Sequence, residues 1–355
     1  MARKRQSSNR RSTPAGKLLE LIAGRHIPEA LHAVAVLGIA DLLADGPKNT
    51  DQLARKTGTQ ASSLYRVLRA LAGVGVFAED KAGRFRLTAL GQPLRAEVAD
   101  SVRGAAIMFG GERSGRLDSL LVECVRCGKT AVELAFGEKG FFEQYQRDPA
   151  QAAIFNASMT ALSNAHFSGV VEAYNFRSIR KVVDVGGGHG RLISMILKAY
   201  PRMHGVLYDL PHALEGGRMG IADASLTDRC EVISGNFFQS VPEEGDAYIL
   251  SRVIHDWDDD KAVTILKVVR KAMKPHSRLL LFETLIRADN RPAYPLLSDL
   301  NMLVLTGGQE RTEAEYRALY KAAGFELSRV VDTLSPTGMT IIEGKPVKQR
   351  LNKRS

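Results

Sequence analysis

Val182-Val183-Asp184-Val185-Gly186-Gly187-Gly188-His189-Gly190 is the stretch whose reading decides the fold. Three valines around one acid suit a buried strand. Four glycines in the next five residues allow a tight turn and let backbone N–H groups approach a ligand closely. Leu192, Ile193, Ile196 and Leu197 then recur at helical spacing. Strand, glycine loop and helix in this order make the ligand corner of an open α/β sheet.

Spacing also selects the ligand. A dinucleotide corner reads G-x-G-x-x-G, and that frame fails from either start: from Gly186 the last slot is Arg191, from Gly188 it is Ile193. The frame that fits is Asp184-x-Gly186-x-Gly188-x-Gly190, the acid-x-Gly-x-Gly-x-Gly form of S-adenosylmethionine sites. That cofactor has no pyrophosphate to cradle, and its sulfonium and amino groups are cationic, so an acid beside the loop is an asset.

The chain is 355 residues long, enough for two domains, one of them a full α/β core. Its net charge of +10 is concentrated at the ends. Residues 1–17 carry Arg3, Lys4, Arg5, Arg10, Arg11 and Lys17, and residues 345–355 carry Lys345, Lys348, Arg350, Lys353 and Arg354, with no acid in either stretch. The body between them is near neutral, which argues against a nucleic-acid surface and leaves two basic tails expected to be disordered. No run approaches 18 apolar residues, so no membrane span is expected. No apolar segment follows the basic N-terminus, so no secretory signal is read there. Three cysteines are too few for a disulfide framework. Cys124-x-x-Cys127 lies in a stretch of helical spacing with Leu117, Leu120 and Leu121, so both are expected to be buried, in a cytoplasmic protein.

Residues 18–105 read as short helices: Ala30 to Leu43, stopped by Asp45-Gly46-Pro47; a short one capped by Thr50-Asp51; and one from Ala61 with Leu64, Val67, Leu68 and Leu71 on one face. A hairpin through Asp80-Lys81-Ala82-Gly83 follows. This is winged-helix grammar, and the module is expected to be essentially all-helical, of winged-helix type. Its candidate recognition helix, residues 60–72, holds only Arg66 and Arg69 as bases, so packing or dimerisation is favoured over DNA binding. Residues 106–176 read as helical throughout.

From Arg180 onward, strands and helices alternate. Strands are predicted at 181–185, 205–209, 230–234, 246–250, 278–283, 325–332 and 338–343, with helices starting near Gly190, Pro211, Asp259 and Thr312. The result is a Rossmann-like, mostly parallel sheet with one antiparallel edge strand, because only a hairpin-length loop separates the last two strands. Ligands lie beyond the carboxyl ends of such strands, where polar groups collect. Asp209 suits a ribose diol. Asn236 and Phe237 offer an amide and a ring to an adenine, and Ser251 and Arg252 close the fourth strand. His255 follows, in Ile254-His255-Asp256-Trp257-Asp258-Asp259-Asp260, whose acids are expected to cap the next helix. Glu283 ends the fifth strand and Glu310 lies in a later loop. A histidine flanked by two carboxylates is the arrangement a general base needs.

The residues carry a resemblance. Asp184 to Gly190, Asp209-Leu210-Pro211-His212, Gly235-Asn236-Phe237-Phe238, His255 to Asp259, Glu283 and Gln309-Glu310-Arg311-Thr312 resemble the small-molecule O-methyltransferases of the plant caffeate and acetylserotonin type and their bacterial relatives acting on polyketides, phenazines and carotenoids. Leu68-Arg69-Ala70-Leu71 through Gly75-Val76-Phe77 resembles that family's dimerisation domain. The resemblance covers roughly residues 25–345. It implies a class I methyltransferase sheet, with His255 as base between Glu283 and Glu310. Gly186, Gly188, Asp209, Leu210, Gly235, Asn236, Phe237, Ser251 and Arg252 are then the S-adenosylmethionine contacts, with S-adenosylhomocysteine as product. It also implies a homodimer, with no metal expected. The organisation read from it is a basic tail (1–17), a dimerisation domain (18–105), a helical linker and acceptor-pocket region (106–176), a catalytic domain (177–345) and a second basic tail (346–355). Tyr145, Phe155 and Met159 are the acceptor-pocket candidates.

Two positions depart from the family pattern. Asn236 stands where an aspartate is usual, which is expected to weaken cofactor binding without abolishing it. The central helical region has no tryptophan, Trp257 being the only one in the chain. The acceptor is read as phenolic or polyketide, with a hydroxylated terpenoid as the other option. Rival readings are a cofactor-binding relative with other or no chemistry, and a winged-helix regulator that senses S-adenosylmethionine. His255, Glu283 and Glu310 together count against the first, and the near-neutral body counts against the second.

Overall fold

Thr13 caps the first helix: its Oγ1 accepts the Gly16 N–H at 3.1 Å, and Pro14 fills the first turn, where no N–H is missed. In the computed structural model, residues 13–137, 141, 148–167, 169–289, 293–335 and 337–347 are described. Helix α1 (Pro14–Ala23) thus claims the last four residues of the expected disordered tail. The chain forms two compact units that divide at Ser114/Gly115.

The first unit runs α2 (His26–Val36), α3 (Ile39–Leu42), β1 (Lys48–Asn49), α4 (Thr50–Thr57), α5 (Ala61–Gly73), β2 (Phe77–Glu79), β3 (Arg84–Leu87) and α6 (Arg103–Phe109). It is not all-helical. β2 and β3 pair as the hairpin, and β1 adds to the far side of β3, giving an antiparallel sheet ordered β1-β3-β2. A two-residue strand has no alternation to read, so β1 is invisible to periodicity. Leu53, Leu64, Leu68, Leu71, Phe77 and Phe85 form the core of this unit.

Helices α7 (Glu112–Asp118), α8 (Leu121–Cys127), α9 (Ala131–Phe136), α10 (Pro149–His166) and α11 (Val170–Ala173) lead into the second unit's sheet. Cys124 is buried, but Cys127, the last residue of α8, is exposed, which corrects the expectation for the pair. Next come β4 (Lys181–Val185), α12 (Arg191–Ala199), β5 (His204–Asp209), α13 (Leu214–Asp223), β6 (Cys230–Ser234), β7 (Ala247–Ser251), α14 (Asp259–Ala272) and β8 (Arg278–Ile286). The chain closes with α15 (Ala293–Leu305), β9 (Arg311–Thr312), α16 (Glu313–Ala322), β10 (Phe325–Asp332) and β11 (Met339–Pro346).

Sheet order is β10-β11-β8-β7-β4-β5-β6, with β9 paired to β8. Strands β4 to β8 are mutually parallel, and their centre reads as near-continuous apolar sequence because helices cover both faces. The one antiparallel strand is β11, and it does not form the edge. It pairs with β8 on one side and β10 on the other, so β10 takes the edge. A hairpin that inserts its second strand first gives this order, which loop length alone does not distinguish. The chain steps from β4 outward to β6 and returns to β7 on the other side of β4. The switch point therefore lies between β4 and β7, which fixes where a ligand crevice opens.

One polar network ties the far edge. Glu343 of β11 is buried, and its Oε2 accepts from the Tyr174 hydroxyl at 2.7 Å and from Arg329 Nε at 2.9 Å, while its Oε1 accepts from the Ser328 hydroxyl at 3.1 Å. These bonds hold its carboxyl below the usual value of 4.5 despite burial. Glu343→Ala is expected to remove about 2–3 kcal/mol of stability in urea unfolding at neutral pH. Because the folded-state pKa is the lower one, the difference from wild type is full above pH 4.5 and shrinks as pH falls through the folded value. A difference that persists undiminished in acid contradicts this account.

Candidate active site

The glycine corner is built so that only glycine serves. Gly186 has φ of +72°, and a Cβ there would meet Val253 at 2.8 Å and Phe237 at 3.6 Å. The loops after β4, β6 and β7 therefore converge on this turn. At Gly188, φ is +54° and the Cβ position has nothing within 4 Å, so its backbone faces open space. Its N–H donates to Asp209 Oδ2 at 2.8 Å, and Asp209 Oδ1 accepts the Leu210 N–H at 2.7 Å. Burial raises the Asp209 carboxyl, though these two N–H groups oppose the rise. Asp184 lies beneath the loop at 1% exposure, and burial together with the Asp209 charge pushes it up to about 7, against a smaller opposing effect of the Ile193 N–H. It is thus held under the loop rather than beside it.

After β6, the Gly235 N–H donates to the Asp209 carbonyl at 3.0 Å. Asn236 Oδ1 accepts the Phe238 N–H at 2.9 Å, so its amide shapes the turn. Phe237 and Phe238 pack in edge contacts with Trp257, the Phe238 ring 4.8 Å away at 89°. The Ser251 hydroxyl at the end of β7 is buried without a partner. Arg252 takes left-handed backbone (φ 55°), a strained conformation for a long side chain. Its guanidinium reaches Glu310 Oε1 at 3.4 Å and the Thr284 hydroxyl at 3.2 Å.

His255 sits in the short helical turn after β7, 3% exposed. Its Nδ1 lies 3.1 Å from Glu310 Oε1, and its Nε2 is 3.6 Å from Asp256 Oδ1, beyond hydrogen-bond reach. Glu310 Oε1 also accepts from the Ser298 hydroxyl at 2.7 Å, and the Glu310 N–H donates to Asp299 Oδ1 at 2.8 Å. Glu283 Oε1 accepts the Ile254 N–H at 2.9 Å, and its other oxygen is buried and unpaired. One atom each of His255, Glu283 and Glu310 lies within 4.8 Å of the others. So close a trio would also attract a cation, and the cation at hand is the Arg252 guanidinium.

These surroundings drive the two carboxyls apart. Burial pushes Glu283 up to about 7. Burial also acts on Glu310, but His255, Arg252 and Ser298 outweigh it and hold the acid down at about 2. His255 is depressed by burial and by Arg252, yet the charges of Asp256, Glu283 and Glu310 prevail and raise it above 6.5.

Of the four acids around Trp257, one caps α14. Asp258 Oδ1 accepts the Lys261 N–H at 2.8 Å, whereas Asp256 turns toward His255 and Asp259 pairs with Arg311. Arg311 is the residue sequence reasoning passed over. Fully buried, it bonds Asp259 Oδ1 through Nε at 3.0 Å and Nη2 at 2.8 Å, and also donates to the carbonyls of Ile254, Gln309 and Trp257. Gly308 packs so tightly there that a Cβ would strike the His255 carbonyl, and the Gln309 N–H donates to that carbonyl at 2.8 Å. Among the acceptor-pocket candidates, Phe155 and Met159 lie on α10 and are partly buried, the Phe155 ring 5.7 Å from Phe141. Tyr145 lies outside the described residues.

Residues 119–326 match the O-methyltransferase domain, and residues 19–96 match the O-methyltransferase dimerisation domain. The chain belongs to the O-methyltransferase family. A phenazine O-methyltransferase of Lysobacter antibioticus is 41% identical over 93% of this chain and 96% of its own. A mitomycin biosynthesis 6-O-methyltransferase of Streptomyces lavendulae is 37% identical over 87% of this chain and 88% of its own. Among solved structures, a methyltransferase of calicheamicin biosynthesis with S-adenosylhomocysteine bound superposes with a TM-score of 0.83, at 32% identity, covering 94% of this chain and 98% of that one. No helix of this O-methyltransferase is long and apolar enough to cross a membrane, among the described residues.

Proposed function

We propose that the protein transfers the methyl group of S-adenosylmethionine to a hydroxyl, phenolic in the first instance, of a small apolar molecule, with His255 as the general base. The observation that carries this reading is the His255–Glu310 pair, buried at the carboxyl end of the same sheet whose glycine loop opens at the β4/β7 switch.

The residues of the corner suit the cofactor. Gly188 leaves its approach open, Asp209 stands at the end of β5 for a ribose diol, and Phe237 flanks Gly186 for an adenine. Leu210 and Gly235 hold the Asp209 turn, and Asn236 and Ser251 border the crevice. When bound, S-adenosylmethionine supplies an electrophilic methyl group. His255 takes the proton from the acceptor hydroxyl on Nε2, because Nδ1 is committed to Glu310. A phenol, with a pKa of about 10 by the tyrosine value, is mostly protonated at neutral pH, so a positioned base matters. Phe155 and Met159, four residues apart on α10, supply an apolar wall for a flat acceptor. A homodimer through the N-terminal domain fits the dimerisation match, and α1 leaves Leu18, Leu19, Leu21 and Ile22 exposed for such a contact.

Calorimetric titration with S-adenosylmethionine and S-adenosylhomocysteine tests the reading. Both are expected to bind, and Asp209→Ala should weaken them by roughly 10-fold or more, since it removes a charged hydrogen-bond acceptor as well as the anchor of Gly188. Folded wild-type protein that binds neither compound would end the methyl-transfer reading.

A further inference from the structure

Helix α10 ends in a second buried histidine that the base chemistry does not use. His166 is 3% exposed and lies eleven residues after Phe155 and seven after Met159, on the same helical face. Its Nδ1 sits 2.7 Å from Thr337 Oγ1, which is in turn 2.8 Å from Ser335 Oγ, so the ring is pinned from one side. Its other nitrogen, Nε2, is buried and has no partner. A buried polar atom left unpaired is costly, and such atoms in a native fold call for a ligand or an ordered water. The Tyr294 ring centroid is 6.3 Å away, and Tyr294 stands in the first turn of α15, the helix that supplies Ser298 to Glu310.

We infer that His166 contacts the acceptor, its Nε2 pairing with a second oxygen (hydroxyl, carbonyl or carboxylate) on the aromatic ring whose first hydroxyl is methylated. This rests on the methyl-transfer reading and narrows its substrate class to aryl acceptors with two oxygen functions. Thr337 is followed by Gly338, whose Cβ position lies 4.0 Å from Thr284, the residue that Arg252 bonds at 3.2 Å, so the His166 ring is anchored at the same end of the sheet. Burial and the cationic Arg252 keep that ring neutral, so it orients by hydrogen bonding and leaves base chemistry to His255. Arg252 reinforces the polarity of this end. Its described side-chain bonds all leave from Nη1, and Nε and Nη2 remain for an oxygen ligand.

The test uses the full chain loaded with S-adenosylhomocysteine and three probes that share one hydroxyl: 2-naphthol, 2,3-dihydroxynaphthalene and 3-hydroxy-2-naphthoate. At least one two-oxygen probe is expected to bind about 10-fold more tightly than 2-naphthol, the worth of one buried hydrogen bond. In His166→Leu that preference disappears, with the affinity lost by the two-oxygen probes exceeding any change for 2-naphthol. His166→Gln keeps a donor and an acceptor and should retain part of the preference, and it serves as the reading if the leucine variant does not fold. An equal loss for all three probes would assign His166 to packing and overturn the proposal, as would a wild-type protein with no preference or no probe binding. Loading is measured first. If it fails, the methyl-transfer reading falls and takes this one with it, whereas loading without preference removes only the role of His166.

Discussion

Replacing His255 by alanine should lower turnover by roughly 10²–10⁴-fold, the usual contribution of a positioned base, and leave S-adenosylmethionine affinity unchanged. The geometry explains why the loss is confined to turnover. Glu310 is held down at about 2 and is a carboxylate throughout the neutral range, so the His255 nitrogen facing it at 3.1 Å carries the proton. Nε2 then keeps its lone pair for the acceptor. A base must be neutral to work, and the surrounding acids raise His255 above 6.5, so turnover should climb with pH along a limb lying above that value. Two substitutions should move the limb in opposite directions. Glu310→Gln removes an acid that raises His255 and shifts the limb to lower pH. Arg252→Met removes a cation that depresses His255 and shifts it to higher pH. Steady-state rates of the three variants across pH check the assignment, and alanine at 255 with wild-type turnover would refute it.

How much of this was legible depends on what each residue had to signal. Strands β4, β6 and β10 follow the predicted ranges because β-branched runs bounded by turns have few other outcomes. His255, Glu283 and Glu310 stood out as ionisable groups in or just beyond apolar strands, where a core offers no other reason for them, although Glu283 does not end its strand as expected: β8 runs on to Ile286. Helix α15 was missed. Pro295 sits near its start and apolar residues lie all round it: Leu297 and Leu300 are exposed while Met302 and Val304 are buried, so no single stripe marks it. That omission hid Ser298 and Asp299, both of which bond Glu310. The bond from Arg252 to Glu310 was hidden for a different reason. A backbone turning into left-handed conformation re-aims a side chain by an amount that sequence position does not encode. His166 gave only the bland signal of one polar residue on an apolar helix face, and its unpaired nitrogen is a fact of packing.

Arg311→Met is expected to cost about 2–4 kcal/mol of stability, because the carbonyls of Ile254, Trp257 and Gln309 lose their donor in a dry interior. Asp259 is itself largely exposed and rehydrates, so the penalty comes from the carbonyls rather than from a stranded charge. Those carbonyls frame the segment 254–257 that carries His255, whose other fastenings include the Gly308 contact, the Gln309 N–H to the His255 carbonyl, the His255–Glu310 pair and the Glu283 bond to the Ile254 N–H. Removing the guanidinium therefore frees the base in its socket while the glycine loop and Asp209, which do not touch Arg311, stay as they are. Turnover should fall well beyond any change in S-adenosylhomocysteine affinity. Arg311→Lys tests geometry against charge: an ammonium has three donors but no planar fork, so it cannot span Asp259 and three carbonyls at once. The lysine variant should recover part of the stability and little of the turnover. Urea unfolding gives the first quantity, and single-turnover methyl transfer the second. A variant that loses stability yet keeps full turnover would show that His255 is held without Arg311, and that the guanidinium serves the fold alone.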